Sequence, residues 1–398
     1  MDTFAFILHP VDPKRDVSRK FPWLGKHLSA KQINFFSTYF PPLYLSEISG
    51  IRSAATGKEI LGWFVACPYT PARMLELPET TVYRKIVQTG KLAEGLGARV
   101  LGLGAYTSVI GDAGQTISKG LTVPVTTGDS YTVAVAVEAV REAARVMEIP
   151  LAQSVAAVVG AGGAIGSAAA ELIAGDVRKL WLIGRRPAAL ESLRQRIASQ
   201  SAAEVTTSTA MAAVAEADLI LTVTSAIDTV IEPQHLKPGA VVCDVARPRD
   251  VSARVAAARD DVLVIDGGMV EAPGAPDFHF DFGFPPRMVY ACMAETMALA
   301  LEGRFESYTL GKHITVDQVR TIAEIAAKHG FRLGGFRSFE RPVTREHIER
   351  VKARAASLRP STGFAAHAPR GSRARVRPLA SLAPRGCSAR ALREEADP

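Results

Sequence analysis

Residues 155–166 run Val155-Ala-Ala-Val-Val159-Gly160-Ala-Gly162-Gly163-Ala-Ile165-Gly166, an unbroken apolar pentad entering a glycine-rich loop. A strand half in water would alternate apolar and polar residues. An unbroken one is buried on both faces, as in a parallel sheet covered by helices. Glycine lets the chain turn sharply, lets a pyrophosphate approach bare backbone and lets the next helix pack close to the strand. The small-residue helix expected from Ala164 to Ala174 points its N-terminus, with free N–H groups and the positive end of its dipole, at that position. Gly160, Gly162, Gly163, Ile165 and Gly166 are therefore candidate dinucleotide-binding residues. The spacing is not strict G-x-G-x-x-G, because Ile165 takes the sixth place, but G-x-x-G-x-x-G and G-x-G-x-x-x-G are both satisfied. The strand and helix context makes the motif specific.

Downstream, strands and helices alternate. Lys179–Ile183, 218–224, 239–245 and 262–266 are further buried strands, with helices over 188–198, 210–217 and 251–259. The second strand ends Ile183-Gly-Arg185-Arg186. A carboxylate at this point would receive a ribose 2′-hydroxyl. Two guanidinium groups suit a 2′-phosphate by charge and bidentate geometry, so the expected cofactor is NADPH. Thr224, Ser225 and Gly268, at later strand ends, are placed near it by topology.

Upstream, 4–8 is a short opening strand, Thr56-Gly57-Lys58 a hairpin turn leading into Ile60–Ala66, and 82–96 a helix. Residues 100–104 form a buried strand, and Tyr131–Met147 is a helix preceded by Thr127-Gly-Asp-Ser. After Gly268 the chain becomes loop-like, then helical over 286–302 and 315–329. The fold class is α/β. An N-terminal α/β substrate domain (1–150) precedes a doubly wound Rossmann-type parallel sheet (151–270), a helical C-terminal segment (271–358) and a disordered basic tail (359–398).

The 398 residues are 47% hydrophobic and 22% charged, which excludes wholesale disorder, a collagen-like repeat or a coiled coil. Four scattered cysteines, with no C-x-x-C pair, argue against a disulfide framework or structural zinc and for a reducing, cytoplasmic location. No apolar run reaches the ~20 residues of a membrane span. The net charge of +7 resembles that of a nucleic-acid binder. Residues 359–398, however, hold eight arginines against three acids, leaving +2 for the other 358 residues. A nucleic-acid partner is not expected, and oligomeric state stays open. The tail cannot bury a core, and contact with acidic partners or anionic membrane is an open alternative for it.

Cys292 falls in the early turns of the helix expected from Pro286. A helix N-terminus lowers a thiol pKa, and the thiolate is the nucleophile. The competing reading is an inert core thiol among Ala291, Met293 and Ala294. Cys243, mid-strand, reads as core.

Several segments in order carry a family resemblance: the turn at Thr56-Gly57, Leu103–Val109, Thr126-Thr-Gly-Asp-Ser-Tyr-Thr132, the glycine loop, Ala291-Cys292-Met-Ala-Glu295, Leu301-Glu-Gly303 and Lys328-His-Gly-Phe331. With these the chain resembles the long-chain acyl-(acyl-carrier-protein) reductases, from the first strand to about Phe331. The resemblance implies NADPH-dependent reduction of a fatty acyl thioester, carried by acyl-carrier protein or CoA, to the aldehyde. It also implies that Cys292 is the nucleophile. The family's T-T-G-N-T-H-T reads with Asp129, Ser130 and Tyr131 here, and Gly162 stands where the family carries Thr. Ser108, Thr127 and Ser130 are oxyanion-donor candidates. His279 is a proton donor or a surface histidine, and Glu295 orients a partner or closes a packing face. Two other classes stay open. One is a shikimate- or amino-acid-type NADP dehydrogenase, with Lys85 or Lys91 and Asp112 as nominal catalytic pair. The other is a non-catalytic NADPH-binding protein.

Overall fold

The computed structural model describes residues 1–226 and 228–358. The expected tail, 359–398, lies outside the described residues. The first sheet is built on β1 (Asp2–Leu8), β2 (Leu43–Arg52), β3 (Glu59–Ala66), β4 (Leu101–Leu103) and β5 (Val125–Thr126). β1 lies at the centre, parallel to β3 and β4, with β5 parallel to β4. β2 folds back antiparallel on β3 through the turn at Thr56-Gly57, where Gly57 takes φ +68.

The second sheet contains β6 (Val155–Val159), β7 (Lys179–Ile183), β8 (Glu204–Ser208), β9 (Leu219–Thr222), β10 (Val241–Asp244) and β11 (Leu263–Asp266). All pairs are parallel, in the order β8-β7-β6-β9-β10-β11. This is the Rossmann order, in which the direction of strand addition reverses between β6 and β9 and a crevice opens beyond their C-terminal ends. The α/β, doubly wound expectation is met.

The helix Asp129–Val146 joins the two sheets. Eleven of its 18 residues are buried, too many for an amphipathic surface helix. Val133, Ala136, Val137 and Val140 enter the core of the second sheet, while Tyr131 and Val135 enter that of the first.

The stretch after Gly268 differs from expectation. It forms β12 (Met269–Glu271), β13 (Gly274–Asp277) and β14 (Met288–Tyr290), and the helix starts at Ala291 rather than Pro286. β14 pairs antiparallel with β12, and β13 adds to the edge of β2. These partners are distant in sequence, and ladder bonding overrides the local helical spacing. Two further differences are local. β8, which is polar and half exposed, has no apolar signature, and 211–216 is a 3-10 turn. Residues 13–36, not assigned from sequence, form three short helices, Pro13–Lys20, Pro22–His27 and Ala30–Phe36. No helix among the described residues is long and apolar enough to cross a membrane.

Candidate active site

The glycine loop divides into positions that packing demands and positions it leaves bare. Gly160 has φ +89, and a Cβ there would stand 2.3 Å from the Val223 carbonyl oxygen. A Cβ on Gly166 would stand 2.3 Å from the Gly160 oxygen, so only glycine lets the helix Ala164–Ile173 approach. Gly162 is open, with nothing nearer its absent Cβ than 3.8 Å, and Gly163 precedes the helix. A bare backbone concavity facing a ten-residue helix N-terminus fits a dinucleotide pyrophosphate. Ile165 lies in the first turn of that helix. Arg186 donates to the Gly162 oxygen at 2.6 Å, placing its guanidinium at the loop, and Arg185 stands exposed beside it.

At the end of β9, the Thr224 N–H donates to Asp250 at 2.8 Å, which fixes that turn. The Ser225 oxygen accepts the Tyr106 hydroxyl at 3.2 Å, a bond from the first sheet's loops to the turn after β9. Gly268, with φ +78, accepts the Ala291 N–H at 2.7 Å. Thus the turn after β11 fixes the first residue of the Cys292 helix.

Cys292 is the second residue of the helix Ala291–Glu302 and is partly buried. The loop Thr126–Ser130 lies directly against it. Gly128 takes φ +75, and a Cβ there would stand 2.3 Å from Cys292 Cα. Glu295, fully buried one turn on, holds the two segments together. It accepts the Thr126 hydroxyl and, at 2.8 Å, the Tyr131 N–H, with Thr309 Oγ1 at 2.9 Å. It acts here as an anchor.

The electrostatics depart from the expectation of an acidified thiol. Burial, followed by the Asp129 carboxylate, pushes the Cys292 thiol up to about 12, and the Met293 N–H only partly offsets this. Asp129 is pushed up to about 7, first by burial and then by Glu295. The two ionisations oppose each other: a neutral Asp129 is the state in which Cys292 loses its proton most readily.

Cys292 lines a largely apolar cavity of about 450 Å³, within the range of about 300–1,000 Å³ typical of small-molecule sites. Its walls include Phe6, Leu8, Leu24, Leu28, Ile33 and Phe282. Phe21, Phe36 and Phe40 line it and are also exposed, marking where it reaches solvent. Among the aromatics of the N-terminal part, Phe36 and Phe40 thus belong to the cavity. Phe64 is core, and Phe35 and Tyr39 point outward.

His9, at the end of β1, lines the same cavity and had no sequence motif to mark it. Its Nε2 accepts the Tyr106 N–H at 2.9 Å. A backbone N–H can only donate, so the proton of the neutral ring sits on Nδ1. That atom is buried without a partner among the described residues. Burial lowers the ring to about 4, keeping it neutral near pH 7.

Other candidates are placed elsewhere. His279 is on an exposed loop beside Asp277 at 3.3 Å. Ser108 donates to the Ala105 oxygen at 2.7 Å, and Ser130 is bonded to Thr309. Thr127 Oγ1 is buried and unpartnered among the described residues. Lys85 donates to the Phe40 oxygen, while Asp112 bonds Thr116, so these two form no pair.

The Shikimate / quinate 5-dehydrogenase family profile matches residues 141–266. Over 348 residues the chain is 30% identical to the long-chain acyl-[acyl-carrier-protein] reductase of Synechococcus elongatus, covering 82% of this chain and 98% of that one. Over 307 residues it is 32% identical to Aminotransferase PigE of Serratia sp., covering 75% of this chain but only 35% of that protein. Among solved structures, L-tryptophan dehydrogenase from Nostoc punctiforme aligns over 89% of this chain and 88% of that one, with 12% identity and a TM-score of 0.38.

Proposed function

This chain belongs to the long-chain acyl-[acyl-carrier-protein] reductase family, and on that premise we propose that it reduces a fatty acyl thioester to the aldehyde through an acyl-enzyme on Cys292. It is an NAD(P)-dependent oxidoreductase of Rossmann type. The observation that carries the finer reading is the placement of Cys292. A cysteine in a helix's first turn opens into an apolar cavity, and its helix is tied at Gly268 to the turn after β11.

In this reading the cavity takes the acyl chain, and the Cys292 thiolate attacks the thioester carbonyl and expels the carrier thiol. Splitting the reduction at a covalent intermediate replaces one difficult step with two easier ones. The N–H groups of Cys292 and Met293 favour the thiolate. His9 Nδ1–H, held in one tautomer by Tyr106, donates to the carbonyl oxygen as negative charge gathers on it. Gly160, Gly162, Gly163, Ile165 and Gly166 hold the cofactor's pyrophosphate, with Thr224, Ser225 and Gly268 bordering the rest. Arg185 and Arg186 select NADPH through the 2′-phosphate. When bound, NADPH supplies the hydride that reduces the acyl group.

The dehydrogenase alternative has the 141–266 match in its favour. That match covers the nucleotide-binding part and contains none of Lys85, Lys91 or Asp112. The purified protein, offered NADPH with long-chain acyl-carrier protein, acyl-CoA and 2-oxo or 3-oxo acids, separates the two. Aldehyde from a thioester supports the proposal. Reduction of an oxo acid that survives Cys292→Ala refutes it.

A further inference from the structure

All seven exposed aromatic side chains among the described residues fall between Phe21 and Tyr44. Trp23, Phe35 and Tyr39 are 69%, 53% and 72% exposed, and none of them lines the cavity. The same stretch is strongly basic. Residues 13–44 hold six lysines and arginines against Asp16 alone, a net +5, whereas the rest of residues 1–358 sums to −3. Lys14, Lys26 and Lys31 are exposed and form no ion pair among the described residues. The near-neutral total of the folded body therefore hides one concentrated basic face. The same stretch carries the aromatic cluster, and its Phe21, Phe36 and Phe40 bring the cavity to the surface; Asp12, capping the first helix, and Glu340, paired with Arg15, are the acids set against it.

Exposed apolar clusters of this kind mark interaction sites. Trp and Tyr, with an apolar ring and a polar edge, are suited to the boundary between lipid headgroups and acyl chains, and lysines beside them suit anionic headgroups. The supporting helices are six to eight residues long, far short of the ~20 needed to span a bilayer, so they can only lie in its surface. A second copy of the chain is a poor occupant, because a two-fold contact would set one net-positive face against another.

We propose that the surface formed by residues 13–44 docks on an anionic lipid bilayer, placing the mouth of the Cys292 cavity at the headgroup boundary. The docking argument stands on exposure and charge. Joined to the proposed reaction, it gives the acyl chain and the poorly soluble aldehyde a route that avoids water. It is testable without substrate or cofactor, so its failure and the failure of the reductase reading are distinguishable.

The full chain is sedimented with vesicles of phosphatidylcholine alone and of phosphatidylcholine with a one-third share of phosphatidylglycerol. Binding should rise roughly fivefold or more with the anionic lipid and fall in high salt, with a blue shift of Trp23 emission. Trp23→Ala/Phe35→Ala/Tyr39→Ala and Lys14→Glu/Lys26→Glu/Lys31→Glu should each lose that binding while melting like wild type. Both keep residues 359–398, so basic residues there cannot account for the difference. Sedimentation with neither vesicle, or unchanged binding by both variants, overturns the proposal. So does a dimer that dissociates in the aromatic variant, or capture of acyl-carrier protein by this face with no vesicle binding.

Discussion

Gly128→Ala should move Cys292 by about an ångström. The added Cβ would lie 2.3 Å from Cys292 Cα, 2.4 Å from its Cβ and 2.7 Å from its carbonyl oxygen. Carbon atoms in contact sit at about 3.5–4.0 Å, so the two segments must part by roughly 1 Å. The obstacle is backbone, with no flexible side-chain tip to swing aside, and Glu295 ties both segments from the other side. The φ of +75 adds about 1–2 kcal/mol for any L side chain, and overpacking adds about 1–3 kcal/mol. A displacement of this size at a reacting centre costs on the order of 10²-fold in rate. The assay is NADPH oxidation with an acyl thioester, followed alongside thermal unfolding. Gly57→Ala is the control: φ is +68 there, and a Cβ would meet nothing within 4 Å. It should lose about 1–2 kcal/mol of stability and keep its rate. If Gly128→Ala retained kcat within about twofold, where a roughly 1 Å shift predicts about 10²-fold, the placement of Cys292 against this loop would be wrong.

Asp129 titrates at about 7 when folded, against an ordinary 3.8. The folded state therefore holds the proton more tightly, and stability is lost as pH rises from about 4 to 7. At about 1.4 kcal/mol per pH unit the loss reaches roughly 4 kcal/mol. Asp129→Asn escapes it, so its melting-temperature advantage over wild type should widen from pH 4 to pH 7 and then level off. The same change removes a negative charge beside the thiol and should speed iodoacetamide alkylation of Cys292 above pH 7. His9→Phe should lower kcat about 10²–10³-fold, the usual effect of removing one oxyanion donor. Because burial holds the His9 ring at about 4, His9→Phe should leave the shape of the pH–rate profile between pH 5 and 8 unchanged. Arg185→Ala/Arg186→Ala should raise KM for NADPH tenfold or more, in line with the roughly 1.5–3 kcal/mol of a charged hydrogen bond, and leave KM for NADH unchanged.

The second sheet was legible because each of its inner strands is a continuous apolar run and the glycine loop directly follows one of them. β8 was not, since Glu204-Val-Thr-Thr-Ser208 lies at a half-exposed edge where no apolar pattern is needed. The start of the Cys292 helix was misplaced by five residues, because Met288–Tyr290 is extended only through pairing with Met269–Glu271. The family segments could be recognised in the sequence, but the reasons for them lie in where they meet. Thr126–Thr132 and Ala291–Glu295 join at the Glu295 carboxylate. Leu301–Gly303 and Lys328–Phe331 join where Glu302 accepts from both Lys328 and His329 Nε2 at 2.7 Å, with Ser53 of the first hairpin on His329 Nδ1 at 2.8 Å. His9 was invisible because its role depends on Tyr106, 97 residues away. The thiol's raised pKa likewise depends on burial and then on Asp129, both brought about only by the fold.

The central claim is that Cys292 carries the acyl group, and mass spectrometry of the intact protein tests it most directly. Incubation with a long-chain acyl thioester and no NADPH should add one acyl mass, mapped to the peptide bearing Cys292. Adding NADPH should remove that mass as aldehyde appears, and Cys292→Ala should acquire none. Aldehyde formation by Cys292→Ala, or an acyl group on Cys67 or another residue that NADPH discharges, would contradict the account.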